Sequence, residues 1–322
     1  MAEKKGFNEM EFHYADLTLQ PYAGSSSHSG KILKEIIEKM NNTTDFPDSK
    51  RVIPKHPNQN RKRRLVNLSA SMASATRCFG KIALIKEKAP QIWSGKDIIE
   101  EIEKDENKKF IETTNYVINF SPIGEPIIMV EFNHAGPRLS DIEFYFGKVS
   151  KMFKIARSIK STFHLDIDYQ NISKELENIF NLSVKVKASD SVGTSSAEWH
   201  KPFKVLKDES GYADVRMQLF FKRAEDKTHG GFIKNIQGMK YVRDLFDWLA
   251  KDKKNIKQIE DLKMEYMVSG SDEIQDLDFL KNKTTSIVHI PVNDKGLYTN
   301  VVYKENVGKE FNHYLSTGTT NQ

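Results

Sequence analysis

Residues 114–133 read TNYVINFSPIGEPIIMVEFN, two apolar runs parted by Pro122, Gly124 and Pro126. Val, Ile, Tyr and Phe suit the pleated surface of a sheet, while Gly and Pro interrupt any regular element. The stretch predicts an antiparallel β-hairpin with a short loop. Downstream, past the break AGPR, residues 139–161 (LSDIEFYFGKVSKMFKIARSIKS) place Phe144, Tyr145, Val149, Met152, Phe153, Ala156 and Ile159 at helical spacing. That pattern predicts one helix, with Ser140 as its cap.

Upstream, residues 10–20, 63–73 and 80–88 read as strands, and residues 30–40 (GKILKEIIEKM) as an amphipathic helix with Ile32, Leu33, Ile36, Ile37 and Met40 on one face. Residues 92–109 read as a strand end running into a helix capped by Ser94. Residues 41–64 are polar, carry three prolines and end in NRKRR, which predicts a flexible basic arm. Past residue 161 short alternating strands dominate: 163–169, 182–189, 213–223, 262–270, 274–280 and 285–292. Helical stretches lie between them at 172–180 and at 230–251, the latter broken near Gly238, and a last helix covers 303–315.

Strands and helices mix without regular β-α-β-α spacing, so the expected class is α+β with largely antiparallel sheets. The change of texture near Ser161 predicts two domains, 1–160 and 161–322. The last strands and helix of the second are expected to pack back on the first.

The 322 residues are 38% hydrophobic and 29% charged, a composition of globular rather than disordered chains. The single cysteine, Cys78, forms no internal disulfide, which fits a reducing compartment and a structural thiol. The N-terminus lacks the apolar core of a signal peptide and no run of 18 apolar residues occurs, so a cytoplasmic protein is expected.

Motifs of catalysis are sparse. The nine histidines show no metal-ligand spacing, and neither a phosphate loop nor a nucleophile elbow is present. No cofactor and no metal are expected. Asp166 with Asp168, and Asp276 with Asp278, sit two apart on expected strands, a spacing that serves nuclease metal sites and equally a solvated strand face. Glu198 near Lys201, and the Gly/Ser-rich stretch 191–196, carry weaker versions of the same ambiguity.

Basic residues are better organised. Arg61, Lys62, Arg63 and Arg64 close the arm. Lys148, Lys151, Lys154, Arg157 and Lys160 recur every three residues along the expected helix, with no acid after Glu143, and would form one broad stripe. Lys222, Arg223, Lys227, Lys234, Lys240 and Arg243 make a third cluster. The net charge is only +5, so the argument for an anionic partner rests on this distribution.

Four segments resemble the RexA-like phage-exclusion proteins of lambdoid prophages: RRLVNLSASMA ahead of GKIALIKEK; KDIIEEIEKDENKK before the hairpin and LSDIEFYFGK; ADVRMQLFFKR with its following helix; and LKMEYMVSGSDEIQDLDFLKNKTTSIVHI. Together they cover about two thirds of the chain. The resemblance implies a two-domain, homodimeric, non-enzymatic protein. It implies sequence-independent binding of double-stranded DNA in a basic cleft that opens and closes. It further implies a role in abortive infection and antiviral defense, with a membrane-embedded effector encoded alongside. The long 41–64 arm departs from the family pattern. Beside this reading stand a metal-dependent nuclease effector and a protein–protein adaptor. The homodimer has a direct check: light scattering at micromolar concentration should report twice the chain mass, and a strict monomer would count against the resemblance.

Overall fold

The computed structural model describes residues 6–22, 28–55, 64–86, 91–93, 99–101, 109–120, 124–186, 201, 205, 215–221, 232–256, 258–271, 273–278 and 281–317. The elements run β1 (Phe7–Pro21), α1 (Ser29–Asn41), α2 (Asp48–Arg51), β2 (Ile53–Pro54), β3 (Arg64–Ser74), β4 (Arg77–Lys86), β5 (Gln91–Trp93), β6 (Ile99–Glu101), β7 (Phe110–Asn119), β8 (Ile127–Glu131), α3 (Leu139–Met152) and β9 (Ala156–Phe163). They continue with α4 (Tyr169–Glu175), β10 (Leu176–Val186), β11 (Val215–Phe220), α5 (Ile236–Lys251), α6 (Lys253–Ile256), β12 (Ile259–Val268), β13 (Gln275–Asp278), β14 (Thr285–Pro291) and α7 (Asn300–Thr317). The fold is α+β, and its paired strands are antiparallel.

The chain forms two compact units, residues 1–164 with 284–322, and residues 165–283. The division expected at 160/161 falls inside β9, and the C-terminal residues from 284 onward belong to the first unit. Pairing explains this. β1 binds β14 through Phe7–His13 and β9 through Ala15–Pro21, while β8 pairs with Phe12–Asp16 on its other edge. The strands β9 and β14 therefore share one edge of β1, end to end, and the second unit is inserted between them. At the exit and return, Thr284 donates its N–H to His164 O at 2.8 Å.

The first unit holds an eight-stranded sheet in the order β14-β1-β8-β7-β4-β3-β2, with β9 beside β1. Helices α1 and α3 bury Ile32, Leu33, Ile36, Ile142, Tyr145, Phe146 and Val149 against Leu17, Ile82, Leu84, Tyr116, Ile118, Ile128 and Val130. Helix α7 buries Tyr303, Val307 and Phe311 against Phe12, Phe79, Val117, Met129 and Ile290, side chains of opposite parity on the same strands. The central strands are thus covered on both faces, which is why residues 114–133 read as unbroken apolar runs rather than as alternation. The hairpin foreseen there is β7–β8, in register Tyr116↔Val130.

Several local expectations change. The 41–64 arm is ordered over its first part: Phe46 is buried in the core, Tyr145 donates its hydroxyl to Arg51 O at 2.9 Å, and Lys55 pairs with the buried Asp141 at 2.7 Å. Residues 56–63 lie outside the described residues. Ile99–Glu101 is a strand paired with β5, not helix. The helix expected over 139–161 ends at Met152, and that over 172–180 ends at Glu175, each followed by a strand. Of the expected strand 163–169, Phe163 is the last residue of β9 and Leu165 makes a single bridge to Lys283, while α4 begins at Tyr169. Residue 238 does not break its helix but sits in its first turn, where a Cβ would strike Phe221 and Ile179.

The second unit is a four-stranded sheet, β11-β10-β12-β13. It packs one face on α5 through Leu182, Val184, Leu262 and Met264 against Val242, Leu245, Phe246 and Leu249. The buried Asn178 pins the start of α5: its Oδ1 accepts the Asn235 N–H at 2.9 Å and its Nδ2 donates to Ile233 O at 3.1 Å.

One close approach makes the β4–β7 pairing testable. Gly80 faces Tyr116 in register, and the Tyr116 ring occupies the space where a Gly80 Cβ would stand. The hydroxyl of that buried ring donates to Asn67 Oδ1 at 2.8 Å, which fixes the ring. Gly80→Ala should cost about 1–3 kcal/mol of stability by overpacking, measured by denaturant unfolding, and Tyr116→Leu in the same chain should recover part of that loss.

Candidate nucleic-acid interface

The three basic clusters fare differently. Of the first, Arg61, Lys62 and Arg63 lie outside the described residues, and Arg64 opens β3, half-buried. Of the third, Lys222, Arg223 and Lys227 also lie outside them. Lys234 pairs with Glu177 at 2.8 Å. Arg243 donates through Nε to Ser173 O at 3.1 Å and through Nη2 to Leu176 O at 2.7 Å, so its guanidinium holds the α4–β10 corner together. Lys240 is exposed on α5. The sheet face opposite α5 carries cations too, yet Arg216 pairs with Asp261 and Lys263 with Asp278, each at 3.0 Å.

The second cluster is the one that geometry gathers, though not as a stripe on one helix. Lys148 and Lys151 stand on α3, Lys154 in the turn that ends it, and Arg157 and Lys160 on β9; all five are exposed. The turn reverses the chain tightly. Lys154 N–H donates to Lys151 O at 3.2 Å and Ile155 N–H to Ser150 O at 2.9 Å, the paired bonds of a Schellman C-cap. Ser150 adds its hydroxyl, which accepts the Ala156 N–H at 2.7 Å. Helix and strand then lie against each other, with Glu143 Oε2 accepting from both the N–H and the hydroxyl of Ser161, at 2.9 and 2.7 Å.

Within this turn Lys154 has φ +56°, the position a Schellman cap usually gives to glycine. A side chain there costs about 1 kcal/mol relative to Gly, and a cation at a helix C-terminus recovers about 0.3–1 kcal/mol. Arg157 is the extra residue of a β-bulge opposite Gln20 and Pro21, and its guanidinium lies over the Tyr22 ring, 5.5 Å from the centroid. A bulge re-aims a strand side chain. Lys148 lies over Phe144 at 5.5 Å. Lys160, largely exposed, reaches within 4.0 Å of Glu143, the nearest acid in the chain before it.

A second irregularity lies on the same helix. Gly147 is in the interior of α3, and a Cβ built on it meets nothing within 4 Å. Packing among the described residues therefore does not call for glycine there, although glycine costs a helix interior about 1 kcal/mol relative to Ala. Nothing in the sequence pattern marked this residue; its signal is the open space around it.

The two carboxylate pairs differ. Asp168 caps α4, accepting the Asn171 N–H at 2.9 Å, while Asp166 lies before it in a non-strand segment. Asp276 and Asp278 do share a face of β13, and Asp278 is ion-paired with Lys263. Among the described residues, no group of three or more His, Cys, Asp or Glu side chains is placed to hold a metal ion. Glu198 and residues 191–196 lie outside the described residues. Cys78 is buried, and desolvation pushes its thiol up to about 12, against thiolate formation near neutral pH. Among the described residues no helix is long and apolar enough to cross a membrane.

No protein-family model matches the chain, and no curated protein is significantly similar to it.

Arg243 supplies a control on the surface. Arg243→Ala removes the donors to two carbonyls and should lower the unfolding free energy by about 1–2 kcal/mol. Calorimetry should show that loss, while affinity for duplex DNA in a gel-shift titration should stay at the parent value.

Proposed function

We propose that this protein binds double-stranded DNA through its phosphates, without sequence preference and without acting on it as an enzyme. In this reading it is a sensor in phage defence or prophage exclusion. It works as a homodimer, with a membrane-embedded effector as its downstream partner. The observation that carries the DNA-binding part is the seam of α3 and β9. From Phe144 to Leu165 the chain has no acidic residue, and all five lysines and arginines there are exposed around one reverse turn. A solvated surface ordinarily mixes charges of both signs, whereas phosphate neutralisation calls for cations alone. Interactions of this kind set affinity and salt dependence and carry no base information. The defence role and the effector rest on the family resemblance alone.

Two variants test the site. Lys154→Gly suits the left-handed backbone, so its thermal midpoint should equal or exceed that of the parent, while duplex affinity falls several-fold. The triple variant Lys151→Gln, Lys154→Gln, Arg157→Gln should reduce the slope of log K against log salt by roughly 0.9 for each phosphate that is no longer neutralised. The effect should be equal for unrelated duplex sequences. Running the titrations with and without Mg²⁺ reads out cleavage in the same tubes: intact DNA is expected, and metal-dependent cutting would favour the nuclease instead. Parent affinity and slope in the triple variant would make the seam an ordinary wet surface.

A further inference from the structure

We infer that the sugar–phosphate backbone of the duplex lies along α3 directly over Gly147, with this residue as the point of closest approach. The inference rests on the DNA-binding reading above and adds where, and against what, the strand lies. Positions 144, 147, 148 and 151 recur at intervals of three and four residues, so they share one side of the helix. On that side Phe144 is half-buried under the ammonium of Lys148, Gly147 is bare, and Lys151 is exposed.

The result is a shallow notch in the helix surface, floored by main chain and flanked by an aromatic ring and two lysines. Among the described residues no neighbour fills it, since a Cβ at Gly147 has open space for 4 Å around. A glycine that neither a turn, nor a positive φ, nor a neighbour requires is a place where another backbone can come close. The occupant is argued from charge. Helix α3 carries no acid after Glu143, and Glu143 is engaged by Ser161. The adjacent α1 brings Glu35 and Glu38 against Lys31, Lys34 and Lys39, the last of them paired with Asp45 at 2.7 Å. A strand that alternates apolar sugar edges with phosphates matches an aromatic flank alternating with ammonium groups. Lys148 and Lys151 reach the phosphates on either side of the notch, and Lys154 continues the line past the helix end.

The test separates shape from charge. Gly147→Ala and Gly147→Leu remove no cation, and the Cβ that each adds has open space, so both should fold, with Gly147→Ala melting a few degrees above the parent. Duplex affinity of Gly147→Leu should fall about tenfold or more, with Gly147→Ala between it and the parent, and the slope of log K against log salt should stay at the parent value in both. That combination, higher stability with weaker binding and an unchanged slope, is not expected of a spectator surface. If the parent binds duplex DNA and Gly147→Leu binds equally well, the notch serves another partner and this inference fails while the DNA-binding reading stands. A flattened slope in Gly147→Leu would also overturn it, because the leucine would then be displacing a lysine. If the parent binds no duplex at low salt, both readings fail together.

Discussion

Strand β1 is the constraint on which the remaining structure depends. It pairs on one edge with β8 and on the other with β14 and β9 in succession. Only a strand of its length, 15 residues, can hold two collinear neighbours on a single edge. Because β9 ends beside Ala15 and β14 begins beside His13, the chain must leave and return at almost the same place. An insertion is the consequence: residues 165–283 form a unit with its own core. The C-terminal residues are bound into the first unit by β14 and by α7 against the opposite face of the sheet. A division of the chain at one point is incompatible with that pairing.

The same strand positions the basic seam. Pairing with Ala15–Pro21 forces the chain after α3 into extended backbone, so the helix has to stop and reverse within a few residues. The Schellman turn at Lys154 performs the reversal, and the bulge at Arg157 sets the new strand in register with Gln20 and Pro21. Lys151, Lys154 and Arg157 are thereby brought round one corner. On a continuous helix the same residues would have been strung along a slowly drifting stripe. The cations are the ones foreseen, while the surface they make is different.

Two departures from local stability lie at this seam. A lysine takes a backbone conformation that suits glycine, and a glycine sits where a helix prefers alanine. Neither is explained by packing among the described residues. By contrast Arg243, Lys234 and Lys263, equally basic in sequence, are engaged by carbonyls or carboxylates. The cations of the sequence therefore differ in the partners that the fold gives them, Lys160 of the seam lying 4.0 Å from Glu143.

The sequence alone determined the α+β class, the β7–β8 hairpin, the amphipathic α1 and the run of cations free of acid, because hydrophobic period, turn residues and charge are local properties. Tertiary structure decided the rest. The apolar residues Phe153, Ala156 and Ile159 keep helical spacing on paper, but Ala156 and Ile159 are buried in a bulged strand beside β1 with Ile155 buried in the turn before it, and the helix end carries no glycine to announce it. The expected flexible arm is tied down over residues 42–55 because Phe46 finds the core and Lys55 finds the buried Asp141, a partner 86 positions away. The insertion of residues 165–283 was illegible for the same reason. Strand pairing between β1 and β14 joins residues nearly the whole chain apart, and no local pattern encodes which distant edge a strand will meet.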